Sequence, residues 1–404
     1  MAETAIESRR IASGPSIGSS FSSHHNSLNF LRLALALCVV ISHTVQGSWE
    51  NDLFHRMGLG EIAVFGFFGI SGYLIASSAE HNSVLRYLWQ RFLRIFPAFW
   101  VCLIVVAVIA SMVPVQNFGI LTSWVSATSS PSGWVLHNWW LRITQPTIDA
   151  RFWNNPLWTL FYEFLCYLVL AALAATGLLR HRLAVAILAA GVWGLQILLT
   201  FIPSLHDEFV VPASPMNLFL GAHNFWIMWI IKFGVVFLTG TLIYLYRDRL
   251  PDSGLLALGC FAALLGSLWL PTSSAGDYWV FAPSGLFVAL IAYPMIWLGI
   301  HLPLQRVGAR NDYSYGTYIY AYPVQILLTV WGVKRWGALP FFLLTVLCTI
   351  PFTVASWWFV ERPALRAKKL EPRTVWNRLR RTPSRKMHLG RDNVGEAQNV
   401  SSAP

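Results

Sequence analysis

The sequence predicts an all-α, polytopic integral membrane protein with about ten transmembrane helices and both termini in the cytoplasm. Three observations carry this. Of 404 residues, 55% are hydrophobic and 12% charged, about half the charge of an ordinary soluble domain. The apolar residues fall into runs near the ~20 residues that a hydrocarbon core demands. The 20 tryptophans gather at the edges of those runs, as interfacial belts do.

Taken in order, residues 1–27 are polar and Ser-rich, with no short apolar core before a cleavage site. They read as a disordered cytoplasmic leader, not a signal peptide. The first span, 28–47, carries Arg32 and His43. The second, 61–79, holds Gly66, Gly69, Ser71 and Gly72. Such small residues let helices pack closely, or leave a backbone groove through which a thin chain passes between the first two spans. The third, 95–113, begins beside Arg91 and Arg94. The fourth, 156–177, has the clearest start, since Asn155 can cap it and Pro156 suits its first position; it carries Glu163. Spans at 183–202, 225–245 (with Lys232), 254–271, 279–300, 314–332 and 338–360 follow. The long outer connection, 114–155, bears Trp124, Trp134, Trp139, Trp140 and Trp153 and is expected on the membrane surface. No repeat or linker divides the chain, so 28–363 is one membrane domain and 364–404 a basic, disordered cytoplasmic tail.

The net charge of +11 does not imply nucleic acid. Eleven of the 29 basic residues lie from Arg362 onward, where a cytoplasmic tail beside anionic lipid accounts for them. With both termini inside, 22 basic residues face the cytoplasm and five the exterior, as the positive-inside rule requires. Cys38, Cys102, Cys166, Cys260 and Cys348 all fall inside apolar runs without CxxC spacing, so they read as small buried hydrophobes. No metal is expected, because no HxxxH or HxxE pair occurs on a span.

A charge at mid-membrane costs roughly 2.5–3.5 kcal/mol, so each one asks for a reason. Arg32 and His43 are eleven residues apart on one helix. That spacing returns to nearly the same face about 16 Å higher, a geometry suited to a ligand with its anionic end at Arg32 and its reacting end at His43. A snorkelling arginine and a packed histidine are the plain alternatives. Arg91 and Arg94, at i and i+3, project from one face and match phosphate geometry, or serve only as positive-inside residues. Glu163 lies at a depth close to that of His43, where it could orient the histidine, touch an acceptor hydroxyl, or pair for structure alone. Lys232 could pair with it.

Together these pieces resemble the acyltransferase-3 family of integral membrane O-acyltransferases, the type that O-acetylates bacterial surface polysaccharides. The matching stretches are Leu28-Asn29-Phe30-Leu31-Arg32 with its R-x10-H spacing to His43, Phe67 to Ile75, Arg91-Phe92-Leu93-Arg94-Ile95-Phe96-Pro97, Leu157 to Glu163, Ser314 to Tyr320, and Trp358 to Pro363. They run in the family's order from about 28 to 363. The resemblance implies ten helices in the bacterial inner membrane, acyl-CoA (most simply acetyl-CoA) as a cytoplasmic donor, and transfer to a hydroxyl. It also makes His43 the catalytic base and places Arg91 and Arg94 at the acyl-CoA. The acceptor it implies is a saccharide or glycolipid, with membrane lipid and polysaccharide-assembly proteins as further partners. Two positions depart from the pattern. Asn29 stands where Asp is common, and Ala321-Tyr322-Pro323 replaces the frequent His-Trp-Pro. The competing reading is a lipid or glycan transporter using Glu163 and Lys232 as coupling charges. Such a protein would need no CoA site.

Overall fold

Each apolar run becomes a helix. The computed structural model describes residues 14–23, 25–45, 58–112, 154–202, 225–270 and 283–369. Ten helices match the ten predicted spans: α1 Leu28–Val45, α2 Leu59–His81, α3 Val84–Met112, α4 Trp158–Ala175, α5 Arg182–Phe201, α6 Phe225–Leu245, α7 Gly254–Ser267, α8 Ala292–His301, α9 Ser314–Val330 and α10 Ala338–Ser356. Short 3-10 segments lead into α4 (Asn155–Leu157) and α8 (Pro283–Ile291). Past α10 the chain continues through a π turn, Trp357–Glu361, into Arg362–Arg366. Seven of the described helical segments are long and apolar enough to cross a bilayer, and Trp229–Leu245 and Gly254–Ser267 are shorter apolar helices. The chain is therefore a multi-pass membrane protein. Residues Met1–Lys368 form one compact unit and Lys369–Pro404 another; every contact described below lies within the first.

The helix α2 is the centre, buried almost without interruption from Ala63 to Tyr73, as a helix apolar on all sides must be. It packs against α1, α6 and α8. Its glycines are part of that packing. A Cβ on Gly72 would overlap the Phe237 carbonyl, one on Gly240 the Gly69 carbonyl, and one on Gly69 would meet Ala292. Toward α6 and α8 the small-residue stretch is thus a closed helix seam, while Ser71 on the same stretch faces a cavity that Arg32 of α1 also lines. At the periphery, α10 leaves Leu339, Leu343, Leu347 and Ile350 exposed, one apolar stripe at helical spacing. In a multi-pass protein that stripe faces lipid.

Two boundaries differ from expectation. Helix α3 starts at Val84, eleven residues before the predicted 95. Arg86, Arg91 and Arg94 lower the hydropathy of its first three turns without interrupting the helix, so both site arginines lie well inside it. The leader is ordered where it is described. Ser16 caps a single turn, Ile17–Ser20, and Ile17 is fully buried. The N–H groups of Ile17 and Gly18 donate to Leu250 and Arg247 carbonyls at 3.0 and 2.9 Å, and Phe21 meets the Tyr73 ring edge-on at 5.1 Å. A capping box, Ile17 and Phe21 dock this stretch, while residues 1–13 of the expected leader lie outside the described residues. The 114–153 part of the outer connection and the tail beyond residue 369 lie outside the described residues.

Candidate functional site

The site is built where α1 begins. Ser27 ties that start to the end of α8: its N–H donates to Gly299 O at 2.7 Å and its hydroxyl to Leu302 O at 2.5 Å. Two residues on, the Asn29 amide donates to Gly308 O at 2.9 Å. Gly308 has φ +75°, a conformation glycine adopts without penalty, and so it turns the loop before α9 toward α1. An aspartate at position 29 could not donate that bond. With the loop fixed, Asp312 lies beside Arg32 and Arg94.

Asp312 holds the cluster together. Its Oδ2 is 2.5 Å from Arg94 and 3.8 Å from Arg32, while Oδ1 accepts from the Ser314 hydroxyl and N–H at 2.5 and 3.1 Å. Burial would raise its carboxyl, but Arg94 first, then Arg32 and the Ser314 donors, hold it well below the usual carboxylate range. Arg94 is also 3.7 Å from Glu361, which is 2% exposed and accepts from Ser356. Arg91 stacks over the Tyr167 ring at 5.9 Å.

These residues enclose a cavity of about 260 Å³. Five cations line it: Arg32, Arg91, Arg94, Arg310 and Lys368, against the single carboxylate of Asp312. Arg32 Nε and Arg91 Nε are buried there without a hydrogen-bond partner among the described residues. Burying like charges together is costly unless an anion joins them. The cavity is therefore complementary to a multiply charged anion.

A second, narrower space of about 40 Å³ shares Arg32 with it. Its other walls include Phe67, Phe68, Thr159, Glu163, Tyr315 and Tyr318. A single water needs ~10–15 Å³, so this slot takes only a thin chain. Glu163 accepts from Ser71 at 3.2 Å and from Tyr167, one turn along α4. Tyr318 shares a 2.5 Å bond with Thr159. Farther along α9 on the same face, Tyr322 meets His43 edge-on, ring centroids 4.9 Å apart. Tyr315, Tyr318 and Tyr322 thus form a ladder about 10 Å long from the cationic cavity to the histidine.

Of the five residues picked from the sequence, Arg32, Arg91 and Arg94 line one cavity. Glu163 lines the slot, which shares Arg32 with that cavity. His43, half-buried near the far end of α1, lines neither space, and no bond joins it to Glu163 among the described residues. Glu163 is bonded to Ser71 and Tyr167 rather than to Lys232, which is fully buried in α6. Sequence reasoning did not single out Asp312, Glu361, Lys368, Tyr167 or the tyrosine ladder. The i, i+3, i+7 spacing of Tyr315, Tyr318 and Tyr322 was a readable signal.

The family described as "Acyltransferase domain" matches residues 25–361. The chain is 29% identical over 369 residues to "O-acetyl transferase" of Shigella phage Sf6, covering 83% of this chain and 95% of the relative. It is 26% identical over 383 residues to "Nodulation protein 10" of Rhizobium leguminosarum bv. viciae, covering 86% and 95%. To "Acyltransferase MdmB" of Streptomyces mycarofaciens it is 29% identical over 207 residues, 47% of this chain and 50% of the relative. No solved structure matches it. The chain belongs to this acyltransferase family.

Proposed function

We propose, from that membership, that the protein moves an acyl group from cytoplasmic acyl-CoA to a hydroxyl of a cell-surface or lipid-linked saccharide in the bacterial inner membrane. The acyl group is acetyl in this reading, which the similarity to an O-acetyl transferase supports. One observation carries the donor assignment: a five-cation cavity adjoins a slot of thin-chain width, the two sharing Arg32. An acyl-CoA has that shape, phosphates at one end and a slender arm ending in the thioester. At about 260 Å³ the cavity falls below the roughly 300–1,000 Å³ that encloses a whole drug-sized ligand. It would hold the phosphates and leave the rest of the nucleotide outside.

The basic end of the bundle faces the cytoplasm by the positive-inside rule. Arg91 and Arg94 bind the phosphates, with Arg32 at the mouth of the slot. The arm then follows the tyrosine ladder, with Glu163 offering a carboxylate oxygen to its amide N–H groups. His43 accepts the proton of the acceptor hydroxyl as that oxygen attacks the thioester carbonyl. The C–O bond forms, the C–S bond breaks, and CoA leaves as the thiolate, which takes the proton from the imidazolium. Tyr322 packs against the imidazole and fixes its plane.

Mass spectrometry of surface glycans from cells with and without the protein tests the reading. An ester mass that appears only with the protein, and disappears in His43→Ala at equal protein level, is the expected result. Unchanged glycans and lipids, or CoA failing to bind the purified protein, would overturn it.

A further inference from the structure

We propose that Lys368 is a further binding residue for the donor's phosphates, brought to the cavity by the short segment that follows the last spanning helix. The proposal rests on the acyl-CoA reading and names a residue which that reading does not need. The segment is pinned in place. Trp357 Nε1 donates to Asn311 at 2.9 Å, and Trp89 Nε1 donates to Ala367 O at 3.3 Å. Leu365 and Lys368, three residues apart and so on one face, both line the cavity.

A lysine with a structural role would have a carboxylate of its own, and Lys368 has no ion-pair partner among the described residues. The groups facing it are Arg32 from α1, Arg91 and Arg94 from α3, and Arg310 and Asp312 from the loop before α9. Asp312 is already held by Arg94 and Arg32. Glu361, on the segment itself, is engaged by Arg94 and Ser356. An ammonium in these surroundings repels its neighbours until a polyanion joins them, and its compact, rotatable donors suit phosphate oxygens.

The surroundings give the proposal a pH signature. Burial first, and then Arg91, Arg94 and Arg32, push the amine of Lys368 down to about 7. Bound phosphates favour the charged form. Below about pH 7 the ammonium is already present in the empty site; above it, binding must take up a proton. Affinity therefore falls as pH rises, by up to roughly tenfold per unit. A phosphomonoester's second ionisation, near pH ~6, acts in the opposite direction and is complete before that window opens.

The test is titration of CoA into the full-length protein in nanodiscs of zwitterionic lipid at pH 7, 8 and 9. In the wild type, Kd should weaken by on the order of tenfold or more from pH 7 to 9. Calorimetry in buffers of different ionisation enthalpy should register proton uptake at pH 8. Lys368→Arg should bind with a flat profile, its charge being permanent, and shows that the segment tolerates a long cation. Lys368→Ala should bind more weakly at pH 7, by about tenfold, also with a flat profile. Wild-type affinity and pH dependence retained in Lys368→Ala would overturn the proposal while leaving the donor reading intact. No CoA binding by any form would remove the donor reading first. Anionic lipid in the nanodisc should leave CoA affinity unchanged; loss of CoA binding would mark a lipid headgroup phosphate as the ligand and overturn the proposal.

Discussion

Around its first turns α1 meets charge from three other segments of the bundle. Eleven residues farther on it meets an amide and an aromatic ring of α9. Arg32 faces Asp312, Arg94 and the open cavity. At the far end, Gln325 Nε2 donates to Val40 O and Thr44 at 3.0 and 2.9 Å, and His43 lies against Tyr322. The charged end is over-determined, since removing one partner leaves another buried ion unsatisfied. The far end is joined to α9 by the two Gln325 hydrogen bonds and a ring contact. Under the proposed function, the contrast separates two tasks on one helix: tight anchoring of an anion, and proton transfer about 16 Å away. If the division is real, substitutions at the two ends should fail in different ways.

The largest effect is expected at the histidine end. His43→Ala should reduce acyl transfer by roughly 10²–10⁴-fold, the usual contribution of a positioned general base, with CoA affinity unchanged. Transfer rate and CoA titration on the same preparation check this. A parallel loss of affinity would break the comparison, because it would make the two ends one site.

Next comes the centre of the charged end. Arg94→Ala removes the partner of both Asp312 and Glu361, groups that are 14% and 2% exposed. Breaking a buried pair typically costs ~3–5 kcal/mol, which should appear as a sharp fall in folded protein and in thermal midpoint in detergent. The pH dependence has a definite sign. Asp312 is held well below the ordinary carboxylate range, mainly by Arg94 acting against burial. Its contribution to stability is therefore complete above the unfolded value of about 3.9 and is lost as pH falls below it. A midpoint insensitive to pH between ~5 and 2 would show that Asp312 does not hold the cluster. The expected loss on acidification should vanish in Asp312→Asn.

A third expectation concerns the packing that sets the distance between the ends. Gly72→Leu places a side chain where the Phe237 carbonyl lies, and overpacking costs typically ~1–3 kcal/mol. Lower abundance should result, with activity per folded molecule reduced at both ends equally. Normal stability would mean that α2 and α6 can part.

These cases also show what the amino-acid sequence could tell. A spanning helix follows from an apolar run and needs no partner, so each of the ten predicted spans contains a helix among the described residues. The start of α3 was not, because Arg86, Arg91 and Arg94 hide its first turns from any hydropathy reading while leaving the helix intact. Arg32, Arg91 and Arg94 stood out because charge in an apolar run is conspicuous. Asp312 and Lys368 did not, being charges in loops where charge is ordinary. Only the fold reveals that Asp312 lies between two arginines and that Lys368 lines a cavity. The glycines of α2 were visible as small, but that Gly69 and Gly72 form a seam with α6 depended on residues more than 150 positions away in sequence.

The smallest expected effect tests the charged end without dismantling it. Asn29 lines the cavity and donates to Gly308 O. Asn29→Asp would exchange that donor for a carboxylate facing a carbonyl, a loss of about 0.5–1.5 kcal/mol for the bond. Attraction to the neighbouring arginines offsets part of it. Stability should therefore fall by no more than ~1 kcal/mol. In the proposed mechanism the cavity receives an anion and proton transfer takes place at the other end of α1, so the added negative charge should raise KM for acyl-CoA several-fold while kcat stays near the wild-type value. Steady-state kinetics in nanodiscs with varied acyl-CoA makes the distinction. A fall in kcat at unchanged KM would mean that the first turn of α1 reaches the reacting groups, and that binding and chemistry are not divided along this helix.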